Sequence, residues 1–180
     1  MTQQRSIGLV AFVGFLACIP LANFLILHVG TVCIPNGPCL LPVAPGLMAP
    51  SGVALIGLAL VLRDVVQRCL GRSASLLAIA IGTLISALIA PPALLLASIT
   101  AFFLSEMADF AVYTPLAQRR LVLAVVASSM VGLVVDSIVF LFLAFGSLDY
   151  LAGQVVGKAW AVLLSIPFIR LLRRTAPSPA

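Results

Sequence analysis

Six apolar stretches occupy most of this chain: residues 7–27, 47–66, 74–90, 93–113, 121–145 and 148–169. Each is about 17 to 25 residues long, the length a helix needs to cross a roughly 30 Å hydrocarbon layer. Backbone N–H and C=O groups find no water in that layer, so such segments must satisfy their hydrogen bonds internally, as helices. Composition agrees: 8% of the 180 residues are charged and mean hydropathy is +1.27, against about a quarter charged in a soluble domain. The expected fold is an all-α integral membrane protein with six transmembrane helices. It forms a single domain over residues 1–180, because too little sequence lies between the spans for a soluble unit. The first span is too long for the apolar core of a secretory signal and five more follow, so it reads as a retained helix.

The positions of the charges say more than their sum. A net charge of +5 and a pI near 9.6 would suggest nucleic acid in a soluble protein, but no nucleic-acid partner is expected here. Six crossings alternate the loops between two sides. Arg5, Arg63, Arg68, Arg72, Arg119, Arg120, Arg170, Arg173 and Arg174 then fall on one side, nine of the ten basic residues, while the loops on the other side have none. This is the positive-inside asymmetry of a bacterial inner (plasma) membrane protein with both termini cytoplasmic. The exception, Lys158, lies within the sixth span.

The one long connection, residues 28–50, contains five prolines, which forbid a regular helix through it. Its CLLPVAPGLM segment is apolar enough to lie against or dip into the membrane as a lid. Cys33 and Cys39 flank the turn-prone IPNGP and either pair as a disulfide or remain free thiols; their spacing fits no zinc site. Cys18 and Cys69 read as small apolar fillers, and His28 as an ordinary interfacial residue. No metal or cofactor is expected. Small residues recur four apart at Gly153, Gly157, Ala161 and Ser165, at Gly82 and Ser86, and at Ser128 and Gly132 leading to Asp136. Such stripes let helix backbones approach closely in lipid.

The polar groups inside the spans each require an explanation, because an ionised side chain at the bilayer centre costs roughly 2.5 to 3.5 kcal/mol on insertion scales. In the fourth span, Phe102, Glu106, Asp109 and Tyr113 fall on one helical face. Two rings and two carboxylates on one face suit a flat, nitrogen-bearing ligand, stacked on its faces and hydrogen-bonded at its edge. The alternative for Asp109 and Tyr113 is an ordinary helix end, with Asp109 solvated or paired with Arg119 or Arg120; Glu106 could bridge helices. Asp136 and Lys158 lie near the middle of their spans, too deep to reach an interface, and either pair with each other or line a polar cavity. Arg63, Asp64 and Gln67 approach the cytoplasmic end of the second span, where a charged helix end is the ordinary reading. No hydrolase, metalloprotease or phosphate-loop motif occurs and the chain has one His, so no enzyme is expected.

Four runs, LRDVVQRCLG (62–71), SEMADFAVY (105–113), VGLVVDSIVF (131–140) and VGKAWAVLLSIP (156–167), stand in the order found in the VUT family of membrane proteins. The chain resembles that family, also called queuosine precursor transporters or YhhQ-like proteins, over roughly residues 8–172. The resemblance implies a six-helix fold similar to the substrate-binding components of energy-coupling-factor transporters. It also implies uptake of a 7-deazapurine precursor of queuosine such as 7-cyano-7-deazaguanine. By motif position it implicates Arg63, Asp64 and Gln67, then Ser105, Glu106 and Asp109, then Asp136 and Lys158. Family members often carry an acidic residue near Gln67 or Arg68 and a longer polar loop before the fifth helix, where this chain has only residues 114–120. A related deazapurine or another planar heterocycle therefore stays open as substrate. Expected partners are a planar heterocyclic base and the lipid bilayer. A homo-oligomer and an energising partner remain open, and the alternative function is a substrate-capturing module that depends on such a complex.

Overall fold

A computed structural model describes residues 2–35, 37–90 and 92–175. Pro91, which lies between the third and fourth apolar stretches, and the side chains of Arg173 and Arg174, counted in the charge asymmetry, lie outside what is described. Six long helices follow one another: α1 (Thr2–His28), α2 (Val53–Leu70), α3 (Arg72–Ile89), α4 (Leu95–Leu116), α5 (Leu121–Phe145) and α6 (Leu151–Thr175). Five of them, all but α2, are long and apolar enough to cross a membrane. Together they make the chain a multi-pass, helical membrane protein.

The second helix departs from its expected bounds. The apolar run that begins at residue 47 enters as a strand, and the helix starts at Val53 and continues through Arg63, Asp64, Gln67 and Arg68 to Leu70. Gly71, at φ +94°, then turns the chain directly into α3, a conformation open to glycine because it has no Cβ. α2 tolerates its charges because lipid is not its main neighbour. It packs against α1, α3, α4, α5 and α6, and twelve of its eighteen residues are buried. Its polar side chains are therefore met by other side chains inside the bundle.

The connection between α1 and α2 is ordered as an antiparallel sheet, which the sequence reading did not anticipate. It comprises β1 (Val32–Cys33), β2 (Cys39–Ala44) and β3 (Leu47–Pro50), in the order β1-β2-β3. Val32 faces Leu40, Cys33 faces Cys39 and Leu40 faces Pro50, with an irregularity between Pro42 and Ala44. Cys33 and Cys39 are joined as a disulfide, which resolves the choice left open by their spacing. The sheet packs on α6 and α1: Trp160 Nε1 donates to the Val43 carbonyl at 3.1 Å and Ser51 Oγ to the Leu25 carbonyl at 2.7 Å.

Glycines set these approaches. A Cβ at Gly153 would collide with the Met48 carbonyl of β3, so this part of the α6 stripe receives a strand, where a helix partner was expected. A Cβ at Gly57 would lie 2.5 Å from the Lys158 carbonyl oxygen, so Gly57 is what lets α2 and α6 meet. That contact seats Lys158 in the middle of the bundle.

Candidate functional site

The polar side chains of the interior form two layers. Toward the sheet end lies a cavity bounded by the second half of α1, the start of α2, the end of α3, the first half of α4, the second half of α5 and the first half of α6. Its wall is largely apolar, with Ile19, Ile56, Phe102 and Phe140 among the lining residues. Polar groups converge on it from Asn23, Ser86, Ser98, Asp136, Gln154 and Lys158. A mostly apolar wall with a few placed polar groups is the usual composition of a small-molecule site.

Lys158 organises that polar patch. Its Nζ donates to Asp136 Oδ2 at 2.6 Å, to Ser137 Oγ at 2.8 Å and to Gln154 Oε1 at 2.5 Å. Three acceptors use all three ammonium protons, so Lys158, 1% exposed, acts on its neighbours more than on an incoming ligand. It orients the Asp136 carboxylate and directs the Gln154 oxygen inward, which leaves the Gln154 amide N–H groups as donors. No donor among the described residues reaches Asp136 Oδ1, and its side chain is 11% exposed. The cavity therefore offers a carboxylate oxygen to accept from an N–H edge, an amide to donate to a carbonyl, and the Phe102 ring as an apolar wall. Asp136 and Lys158 both pair with each other and line the cavity, combining the two readings their depth allowed.

The second layer lies deeper toward the arginine-bearing end, between α2, α4 and α5. Arg63, with no exposure, stands among three carboxylates: Nη2 donates to Asp109 Oδ1, Nε donates to Glu106 Oε2 at 3.3 Å, and Nη1 lies 3.0 Å from Asp64 Oδ1. Nη1 also donates to Gln67 Oε1 at 3.1 Å, and Gln67 Nε2 donates to Thr114 Oγ1 at 2.9 Å. Ser128 Oγ donates to Asp64 Oδ2 at 3.1 Å. The Phe110 and Tyr113 rings lie 5.9 and 5.6 Å from the guanidinium carbon, within the range where a ring face attracts a cation. Arg63's several fixed N–H directions explain why one residue can serve so many acceptors. A Cβ at Gly132 would lie 3.1 Å from Asp109 Cβ, so that small residue admits α4 and its carboxylate against α5.

The residues singled out in the sequence are thus divided. Phe102, Asp136 and Lys158 line the cavity. Arg63, Asp64, Gln67, Glu106, Asp109 and Tyr113 build the closed cluster. Ser105, 2% exposed, gives its hydroxyl proton to the Phe102 carbonyl and joins neither. The shared face of Phe102, Glu106, Asp109 and Tyr113 is real and buried, yet it spans both layers and does not form one platform. Asp109 is paired with Arg63 and has no exposure, whereas Arg119 and Arg120 are exposed. Arg63 itself is an interior ion-pair partner and no longer counts as a charge at the helix end.

Gln154 was missed. Its only sequence signal is its place one turn before Lys158 on the same face, hidden beside the small-residue stripe. Asn23 was missed as well, lying in an otherwise apolar span where its amide bonds the Ile19 carbonyl at 3.0 Å.

A family model described as "Putative vitamin uptake transporter" matches residues 86–172. The resemblance to the VUT family holds over that stretch. It runs from the last turn of α3 through α6 and includes Phe102, Glu106, Asp109, Asp136, Gln154 and Lys158. The sheet and α2, with Arg63, Asp64 and Gln67, precede it. The matched stretch therefore contains five of the six side chains that bring polar groups to the cavity, Ser86, Ser98, Asp136, Gln154 and Lys158, and leaves out Asn23. No curated protein and no solved structure matches the chain.

Proposed function

We propose that the chain imports a queuosine precursor, 7-cyano-7-deazaguanine or a closely related 7-deazapurine, across the bacterial inner membrane. The observation that carries this reading is the cavity patch of Asp136, Gln154 and Lys158 beside Phe102, all within the stretch that matches the vitamin uptake family. A guanine-like base presents an exocyclic amine and a ring N–H on one edge and a carbonyl beside them. Asp136 Oδ1 accepts from the amine edge, the Gln154 amide donates to the carbonyl, and Phe102 contacts the ring. Lys158 holds the carboxylate and amide in place and balances the charge of Asp136 when the site is empty.

The positive-inside asymmetry supports the orientation proposed here. Arg5, Arg68, Arg72, Arg119, Arg120 and Arg170 lie toward the cytoplasm, the sheet faces outward, and the cavity opens in the outer half. The closed Arg63 cluster then forms the inner barrier that must open for release. Passage occurs by alternating exposure of the cavity, with no chemical change in the base. The chain acts without an energising complex and touches no nucleic acid.

Complementation tests this directly. In a bacterium unable to make the precursor, expression of the chain should restore queuosine in tRNA from externally supplied base. Purified protein in liposomes should take up the base with no other component. Uptake that appears only with an added energising complex supports the substrate-capturing module, and absence of uptake for any deazapurine removes the substrate.

A further inference from the structure

The Arg63 cluster carries more negative charge than it neutralises. Asp64, Glu106 and Asp109 all contact one guanidinium, and the three carboxylates are at most 2% exposed. Arg68, one turn beyond Asp64 on α2, is buried as well. Even with Arg68 included, one negative charge remains. An uncompensated charge in a low-dielectric interior costs several kcal/mol, so such a site takes up a counter-charge.

Two further observations indicate which one. Asp64 and Asp109 meet the same guanidinium from two helices, Asp64 Oδ1 lying 3.0 Å from Nη1 and Asp109 Oδ1 accepting from Nη2. Asp64 Oδ1 has no hydrogen-bond partner beyond its ion-pair contact with Arg63 Nη1, and Asp109 Oδ2 and the Tyr113 hydroxyl, whose ring rests on Arg63, are buried with no hydrogen-bond partner. Buried acceptor oxygens left without a donor are costly, and one added hydrogen supplies the pair with a donor. A metal cation is a poor fit, because Arg63 already occupies the space between the carboxylates, and among the described residues no group of acidic side chains converges as a metal site. A proton adds no volume and turns one acceptor into a donor.

We propose that the Asp64–Asp109 pair binds one proton, and that its uptake and release couple passage of the base to a proton gradient. This rests on the import reading above. The proton comes from the outer side through the cavity, forms one O–H bond on the pair, and leaves to cytoplasmic water when the inner barrier opens; nothing is oxidised or reduced. Glu106 is placed as the intermediate carrier, since it contacts Arg63 and stands on the buried face of α4 between Phe102, which lines the cavity, and Asp109. The groups facing the pair are Arg63, Gln67 and Arg68 from α2, Glu106, Tyr113 and Thr114 from α4, and Ser128 and Asp136 from α5, with Lys158 of α6 behind Asp136. α1 and α3 carry their charges, Arg5 and Arg72, at exposed ends. With one proton on the pair, the cluster is balanced in charge and the barrier is closed. Loss of that proton leaves a surplus negative charge and weakens the closed arrangement.

The test uses the full chain in liposomes that enclose a pH-sensitive dye, with labelled 7-cyano-7-deazaguanine outside. An inside-alkaline gradient of one pH unit should raise accumulation by up to about tenfold for one proton per base, and addition of base should acidify the interior. Asp64→Asn and Asp109→Asn should abolish both the gradient response and the acidification, while base still raises the melting temperature of each purified variant. Uptake by the unmodified chain that ignores the pH gradient, or follows a sodium gradient in its place, overturns the proposal and leaves the import reading standing. Absence of uptake, or of any thermal shift with the base, overturns both.

Discussion

Lys158 of α6 and Asp136 of α5 meet at 2.6 Å on the wall of the cavity, joining two helices by a buried ion pair. Removing one partner strands the other, which for buried pairs typically costs about 3 to 5 kcal/mol, whereas removing both is often close to neutral. Lys158→Met and Asp136→Asn should each lower the melting temperature, and the double variant should recover much of that loss. None of the three should show thermal stabilisation by 7-cyano-7-deazaguanine. A double variant that regains ligand stabilisation would show that the pair is structural and the base sits elsewhere.

Gln154 offers a sharper probe, because its carbonyl oxygen serves Lys158 while its amide faces the cavity. Gln154→Glu keeps the acceptor and removes the donor. Stability should change by less than for either ion-pair variant, while affinity for the base falls by about tenfold or more, the equivalent of roughly 1.4 kcal/mol. Titration calorimetry in detergent gives both the affinity and a check that the binding stoichiometry is intact.

Arg63 holds the inner layer through four polar partners, Asp64, Gln67, Glu106 and Asp109, so its replacement should have a large effect. Arg63→Met leaves three buried carboxylates without their cation and should destabilise the protein by at least about 3 to 5 kcal/mol. Arg63→Lys should recover only part of this, because an ammonium cannot reproduce the guanidinium's planar set of directions. Expression in membranes and thermal unfolding in detergent distinguish the two. Equal stability of the lysine variant and the unmodified chain would contradict the geometry.

The sheet should depend on one glycine and one covalent link. Gly153→Leu places side-chain atoms where the Met48 carbonyl stands, and overpacking of this kind costs about 1 to 3 kcal/mol. Reduction of Cys33–Cys39 opens a short loop, for which the chain-entropy account predicts a loss of about 2 kcal/mol. Thermal unfolding with and without reductant measures the second effect. Cys33→Ser should reproduce it, and reductant should then have no further effect.

The membrane class and the presence of six helices were legible in the chain itself. They follow from a local property, the length of each apolar run. Residues 121–145 show this best, since the apolar run and α5 coincide. The same locality explains the failure at residues 47–50, where an apolar segment reads alike whether it enters the helix or pairs with a neighbouring strand. The 2-residue alternation of the sheet is too short to register in a segment so uniformly apolar. What only the tertiary structure decided is how the buried charges are shared. Helical period could place Glu106 and Asp109 on one face of α4, but a face does not name its partner. Arg63, 43 and 46 residues earlier, is brought to them by the packing of α2 through the middle of the bundle. Ion pairs and cavities are relations between distant segments, so they arise only when the helices have chosen their neighbours.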